Sequence, residues 1–121
     1  MKEELELVAK FHKKFQVPVE SEPVIPNKDR IDLRHRLMKE ELEEYKAGAE
    51  NGDLENVAKE LADILFATYG TILEHGLQGK IEEIFAEVCK SNMSKDYHEF
   101  KMIKGKNYKP AEIGRVLGEK K

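Results

Sequence analysis

Five acids in this 121-residue chain fall into two spaced sets. Glu40, Glu41 and Glu44 are arranged E-E-x-x-E, and Glu60 and Asp63 are arranged E-x-x-D. Residues three apart on a helix share a face, so each set offers a pair of carboxylates to one side. Carboxylates that converge repel, and their pKa values rise until a cation relieves them. Oxygen-only donors suit a hard divalent ion such as Mg²⁺. That ion takes a few carboxylates and keeps its other positions for water or phosphate oxygens. No His or Cys lies within the two sets, which argues against zinc.

Helices must position these acids, because four segments show a 3.6-residue apolar period and none alternates as a strand would. The first runs from about Glu3 to Phe15. "QVPVESEPVIPNK" follows with three of the four prolines, and predicts an ordered loop without helix. A second helix starts at Asn27 or Asp29 and runs to about Gly48, where "GAENGD" signals a stop and a turn. A third starts at Asp53 as N-cap and runs to about Glu74, ahead of Gly76. The fourth spans about Lys80 to Met93, and a short helix is expected after Pro110. Amphipathic helices joined by short turns pack antiparallel. The expected fold is therefore all-α, an antiparallel bundle of about four main helices in one domain over 1–121. Residues from about 96 to 121 form a lysine- and glycine-rich tail. So much apolar surface on the third helix implies a core completed by dimerisation.

On a helical wheel for the second segment, Asp32, Arg36, Lys39, Glu43 and Lys46 share a polar sector. Glu41 and Glu44 instead fall inside the apolar sector of Ile31, Leu33, Leu37, Met38, Leu42 and Tyr45, with Glu40 at its border. In the third segment, Asp63 interrupts the apolar run Leu61–Leu73. An antiparallel hairpin centred on Gly52 sets Glu41 opposite Asp63 and Glu44 opposite Glu60, so both acid pairs meet at one register. The plainer alternative is a solvated face. In that case the acids pair with lysines one turn away, Glu40 with Arg36, and Glu60 with Asn56 or water.

Composition bounds the function. With 21 basic and 24 acidic residues the net charge is -3, which disfavours bulk nucleic-acid binding. A single cysteine, Cys89, cannot close an internal disulfide and fits a reducing compartment. The charged opening "MKEELELVAK" lacks the apolar stretch of a signal peptide, and no apolar run is long enough to span a bilayer. A cytoplasmic protein without membrane partners is expected.

"EELEE" at 40–44 and "ELAD" at 60–63 resemble the signature of MazG-like, all-α nucleoside triphosphate pyrophosphatases. "FHKKF", "VCKSNMSK" and "KGKNYKP" extend the resemblance across nearly the whole chain, toward the phosphoribosyl-ATP pyrophosphohydrolase-like branch. The tryptophan-containing opening usual in the phosphoribosyl-ATP enzymes is missing, which favours a nucleoside triphosphate substrate. The tail has "KPA" in place of a double proline. The resemblance implies Mg²⁺-dependent (Mn²⁺ as alternative) hydrolysis of an NTP or dNTP to monophosphate and pyrophosphate by a homodimer or dimer of dimers. It assigns Glu41, Glu44, Glu60 and Asp63 as metal ligands, and Glu40 as the acid that orients or deprotonates the attacking water. Asn92 and Lys95 lie near the phosphates, with Lys106 and Tyr108 as further substrate contacts in a tail that could close as a lid.

His12 is a candidate base contact, although a histidine beside two phenylalanines more often packs. Phe11, Phe15 and Met93 are expected in the core. Tyr45 and Tyr69 are expected to pack with their hydroxyls at an edge, and Cys89 reads as a small structural residue. Two alternatives stand beside the NTP reading: the phosphoribosyl-ATP reaction, and a non-catalytic interaction module whose acids hold a structural cation.

Overall fold

The computed structural model describes residues 1–98 and 101–118. Its elements are α1 (Lys2–Lys14), α2 (Lys28–Glu50), α3 (Leu54–Glu74), α4 (Ile81–Met93), β1 (Asp96–His98), β2 (Lys101–Ile103) and α5 (Ile113–Val116). The described chain is all-α apart from one small hairpin, consistent with a helical bundle. It divides into two compact units, Met1–Leu77 and Gln78–Lys121. Within the expected tail, residues 99–100 and 119–121 lie outside the described residues.

In the first unit α2 and α3 form an antiparallel hairpin, and α1 packs on α3. Both long helices start where a side chain can satisfy a free N–H. Asn27 accepts from the Arg30 N–H and Asp53 from the Asn56 N–H, each at 3.1 Å. Gly52 makes the turn at φ 68°, in the left-handed region that favours glycine. Pairs symmetric about Gly52 then face each other along the hairpin. Gly48 meets Asn56, Arg34 meets Gly70 and Arg30 meets Glu74. α2 continues to Glu50, past the stop expected at Gly48. Gly48 is a packing residue instead, since a Cβ there would lie 2.7 Å from the Asn56 amide nitrogen.

The proline-containing loop holds no helix and is tied to the end of α3. The Glu20 N–H donates to the Leu73 carbonyl (3.0 Å) and the Val24 N–H to the His75 carbonyl (2.9 Å). Gly76 at φ 65° admits this loop, because a Cβ would collide with the Glu22 carbonyl.

In the second unit, the Ser94 hydroxyl caps the end of α4 by donating to the Ser91 carbonyl (2.6 Å). It also accepts from the Lys109 N–H at 2.7 Å. Arg115 of α5 grips Glu87 of α4 at 2.7 Å. The antiparallel hairpin β1–β2 corrects the expectation of no strand, with Asp96 opposite Ile103 and Tyr97 opposite Met102. Three-residue strands are too short to display an alternating pattern in sequence.

Among the described residues the buried apolar set is small: Leu5, Val8, Ala67, Leu73 and Val116. Phe11 (42% exposed), Phe15 (57%) and Met93 (86%) are not core residues as expected. Apolar periodicity marks a face that prefers cover, and that cover need not come from the same chain. Phe11 packs against Phe15 in a tilted contact and against Phe66 edge-to-face, at ring separations of 4.7 and 5.0 Å. Tyr45 is exposed and Tyr69 half-buried. Cys89 is exposed. Among the described residues no helix is long and apolar enough to cross a membrane.

Candidate metal centre

The hairpin register brings the acids together. Glu41 of α2 and Glu60 and Asp63 of α3 each offer an oxygen, all within 4.8 Å of one another. Glu44, exposed one turn along α2, joins through Glu60. Its hydrogen bond to Glu60, reinforced by that carboxylate's charge, pushes its pKa up. The half-buried Glu41 is pushed up to about 7, first by burial and then by its hydrogen bond to Glu60. The charges of Glu44, Asp63 and Glu60 add to that rise. Glu60 is only 4% exposed.

The one cation at the cluster is Lys59, among the described residues. Its Nζ lies 2.8 Å from Asp63 Oδ2 and 3.4 Å from Glu60 Oε1. Asp63 therefore does have a partner on its own helix, as the plainer reading of lysine pairing one turn away allowed. That pairing is incomplete. Glu41 Oε2 and Glu60 Oε2 are buried without any hydrogen-bond partner. Buried carboxylate oxygens left in this state are costly. Three converging hard oxygen donors with two such orphans fit a divalent cation completed by water, and the donor set holds no softer ligand.

The other expected site residues are placed differently. Glu40 is exposed and reaches Arg36 only at 4.0 Å, outside the converging group. Its oxygens are therefore open to solvent. His12 is 2% exposed, with Nδ1 hydrogen-bonded to the Pro18 carbonyl at 3.0 Å, which is its packing role. In the second unit Asn92 is exposed near the end of α4, and its carbonyl accepts from the Lys95 N–H at 3.1 Å. Lys106 is exposed and Tyr108 half-buried. The Tyr108 hydroxyl accepts from Ser91 Oγ at 3.3 Å, and Lys104 Nζ sits 5.2 Å from its ring centre.

Sequence reasoning missed two features. Lys59 opens the stretch that ends at Asp63, and its i, i+4 spacing was the available signal. The second is a buried ion triad further along the same hairpin. Arg30 makes a two-pronged contact to Glu74 at 2.7 and 2.9 Å, and Arg34 Nη1 adds a third at 3.1 Å. Arg34 also donates to the Thr71 hydroxyl (3.1 Å) and the Ala67 carbonyl (2.8 Å). The register about Gly52 sets Arg30 opposite Glu74, which was the legible signal there.

Against known proteins, the model of the phosphoribosyl-ATP pyrophosphohydrolase family matches residues 8–92. That span contains all five acids and Asn92, and stops before Lys95, Lys106 and Tyr108. No curated protein matches the chain.

Proposed function

The chain belongs to the phosphoribosyl-ATP pyrophosphohydrolase family, and from that premise we propose that it is a Mg²⁺-dependent nucleoside triphosphate pyrophosphohydrolase. It converts an NTP or dNTP and water to the monophosphate and pyrophosphate, with Mn²⁺ as an alternative ion. The observation that carries this reading is the group Glu41, Glu60 and Asp63, drawn together with two orphaned oxygens. Glu44 completes the set that would hold the ion.

When bound, the cation supplies charge stabilisation for the phosphates and the departing pyrophosphate. The residues of the chain do the rest. The acids of α2 and α3 hold a polyanionic substrate at the cluster only through the cation between them, which ties binding to ion occupancy. Glu40, outside the group and open to solvent, orients the attacking water and takes its proton. The water oxygen bonds to one phosphorus of the α–β bridge, and the bridging bond breaks with its electron pair leaving on the phosphate side opposite the attack. Asn92 and Lys95 orient phosphate oxygens, Lys as a point charge. Lys106 and Tyr108 contact the bound nucleotide. In this reading the enzyme is cytoplasmic and works as a homodimer or dimer of dimers. The half-exposed cluster of Phe11, Phe15 and Phe66 gives a second copy an apolar surface to cover.

A second reading, the same cleavage on phosphoribosyl-ATP, is favoured by the description of the matching family. One assay separates the readings: a panel of NTPs, dNTPs and phosphoribosyl-ATP is incubated with Mg²⁺ and products are identified. Pyrophosphate with a monophosphate is expected from the triphosphates. Turnover of phosphoribosyl-ATP alone selects the second reading. Orthophosphate release overturns both, and no turnover of any substrate overturns both and leaves the structural-cation module. Glu41→Gln and Asp63→Asn should each lower kcat at least about a hundredfold with an unchanged fold, and retained activity rules out the assigned ligands.

A further inference from the structure

Lys59 is placed oddly for a surface lysine. Its side chain is 67% exposed, yet its ammonium touches two members of the acid group, one of them with a side chain only 5% exposed. It caps the cluster from the solvent side. Asp63 and one oxygen of Glu60 are satisfied, while the inner oxygens of Glu41 and Glu60 remain unpartnered. A single ammonium cannot balance four acids, and its three donors point from one position. A divalent ion at this group would share Glu60 and Asp63 with the Lys59 ammonium, and two cations on one carboxylate repel. The ammonium and the ion are therefore competitors.

Resting on the divalent-ion reading above, we propose that Lys59 is a tethered counter-cation that holds the acids together before the ion binds, gives them up to it, and then turns to the phosphates of the substrate. The exchange costs little on the lysine side. An ion pair made by an exposed ammonium contributes little, and the four-carbon stem rotates freely. Lys59 lies within one helical turn of both Glu60 and Asp63, so once released its charge stays beside the site. The nearest anion that needs it is then the incoming polyphosphate. The lysine thereby keeps an acidic cluster assembled without blocking the ion, and the charge is reused when a polyanion arrives.

The test uses the full chain as wild type, Lys59→Met and Lys59→Arg. Mn²⁺ binding is titrated without nucleotide, followed by ion signal or heat, and steady-state kinetics are then measured. Lys59→Met should bind Mn²⁺ about threefold to tenfold tighter, because a competing charge is gone. Its KM for nucleotide should rise about tenfold with a smaller change in kcat, and its ion-free melting temperature should fall by roughly 2–4 °C. Lys59→Arg should restore KM. Unchanged or weaker Mn²⁺ binding by Lys59→Met, with wild type binding normally, overturns the exchange alone. Tighter binding with unchanged KM overturns the turn to phosphate. Absence of Mn²⁺ binding by the wild type overturns the divalent-ion reading itself, and this proposal with it.

Discussion

Two charge clusters lie along the same helical hairpin, two turns apart on α2, and they are balanced in opposite ways. At Arg30, Arg34 and Glu74, one carboxylate that is 1% exposed meets two guanidiniums, with a hydroxyl and a backbone carbonyl satisfying further donors. At Glu41, Glu44, Glu60 and Asp63, four carboxylates meet one exposed ammonium, and two buried oxygens have no partner. Register and helix pair are shared, so geometry alone does not separate the two. Charge balance does. A cluster whose one buried acid is fully paired holds the fold, whereas one left with surplus acid and orphaned oxygens holds something else. The titration directions agree. Burial lowers the Arg34 pKa while Glu74 opposes that, and Glu41 is driven up by burial and by its acid neighbours.

The largest expected effect comes from removing the one acid of the arginine cluster. Glu74→Gln leaves two guanidiniums without a counter-charge, one of them on the buried Arg34, and should cost about 3–5 kcal/mol of stability. Denaturant unfolding reads this directly. A loss below about 1 kcal/mol would mean the triad is solvated and the contrast is false. Gly70→Ala should be next. Its Cβ would sit 2.5 Å from Arg34 Nη2 and 2.9 Å from His12 Nε2. Arg34 is fixed by three partners and His12 by Pro18, so neither can yield cheaply. A cost of about 1–3 kcal/mol is expected from the same unfolding experiment.

The site cluster should respond with the opposite sign. Glu60→Gln removes one of the repelling charges and offers an amide donor to its neighbours. Ion-free stability should stay level or rise by about 1 kcal/mol, while Mg²⁺-dependent turnover is lost. A substitution that stabilises the fold and abolishes activity would identify strain held for function. Destabilisation as large as that of Glu74→Gln would erase the distinction between the clusters.

Much of this was legible in residue order. The helices followed from apolar period and capping residues. The register followed from Gly52, because a tight turn fixes which residues face each other. The acids stood out by lying on the apolar side of α2. What was not legible shares one physical cause: sequence periodicity reports a residue's preference but not what satisfies it. Phe11, Phe15 and Met93 looked like core and are exposed, since the same pattern serves an interior or an interface. Gly48 looked like a helix stop and is a contact point, because its neighbour Asn56 comes from the facing helix. Lys59 reads in sequence as one more surface lysine, and only the shared position of Glu60 and Asp63 makes its i, i+4 pairing with Asp63 part of the cluster.

The smallest effect is also the most selective for the site. Glu41 has its pKa raised from the ordinary carboxylate range to about 7. The native state therefore favours the protonated form more than the unfolded chain does. That preference is fully present at acid pH, below the unfolded value near 4.5, and is lost as pH rises through about 7. The ion-free protein should thus melt roughly 2–4 °C lower at pH 8 than at pH 5 on account of this group. Other titrations act over the same range, so the informative quantity is the difference between wild type and Glu41→Gln, which lacks the titrating acid. That difference should shrink when excess Mg²⁺ is added, since a bound ion favours the ionised carboxylate. Parallel melting curves for the two proteins at every pH, with and without Mg²⁺, would place Glu41 among ordinary surface acids and remove the asymmetry between the two clusters.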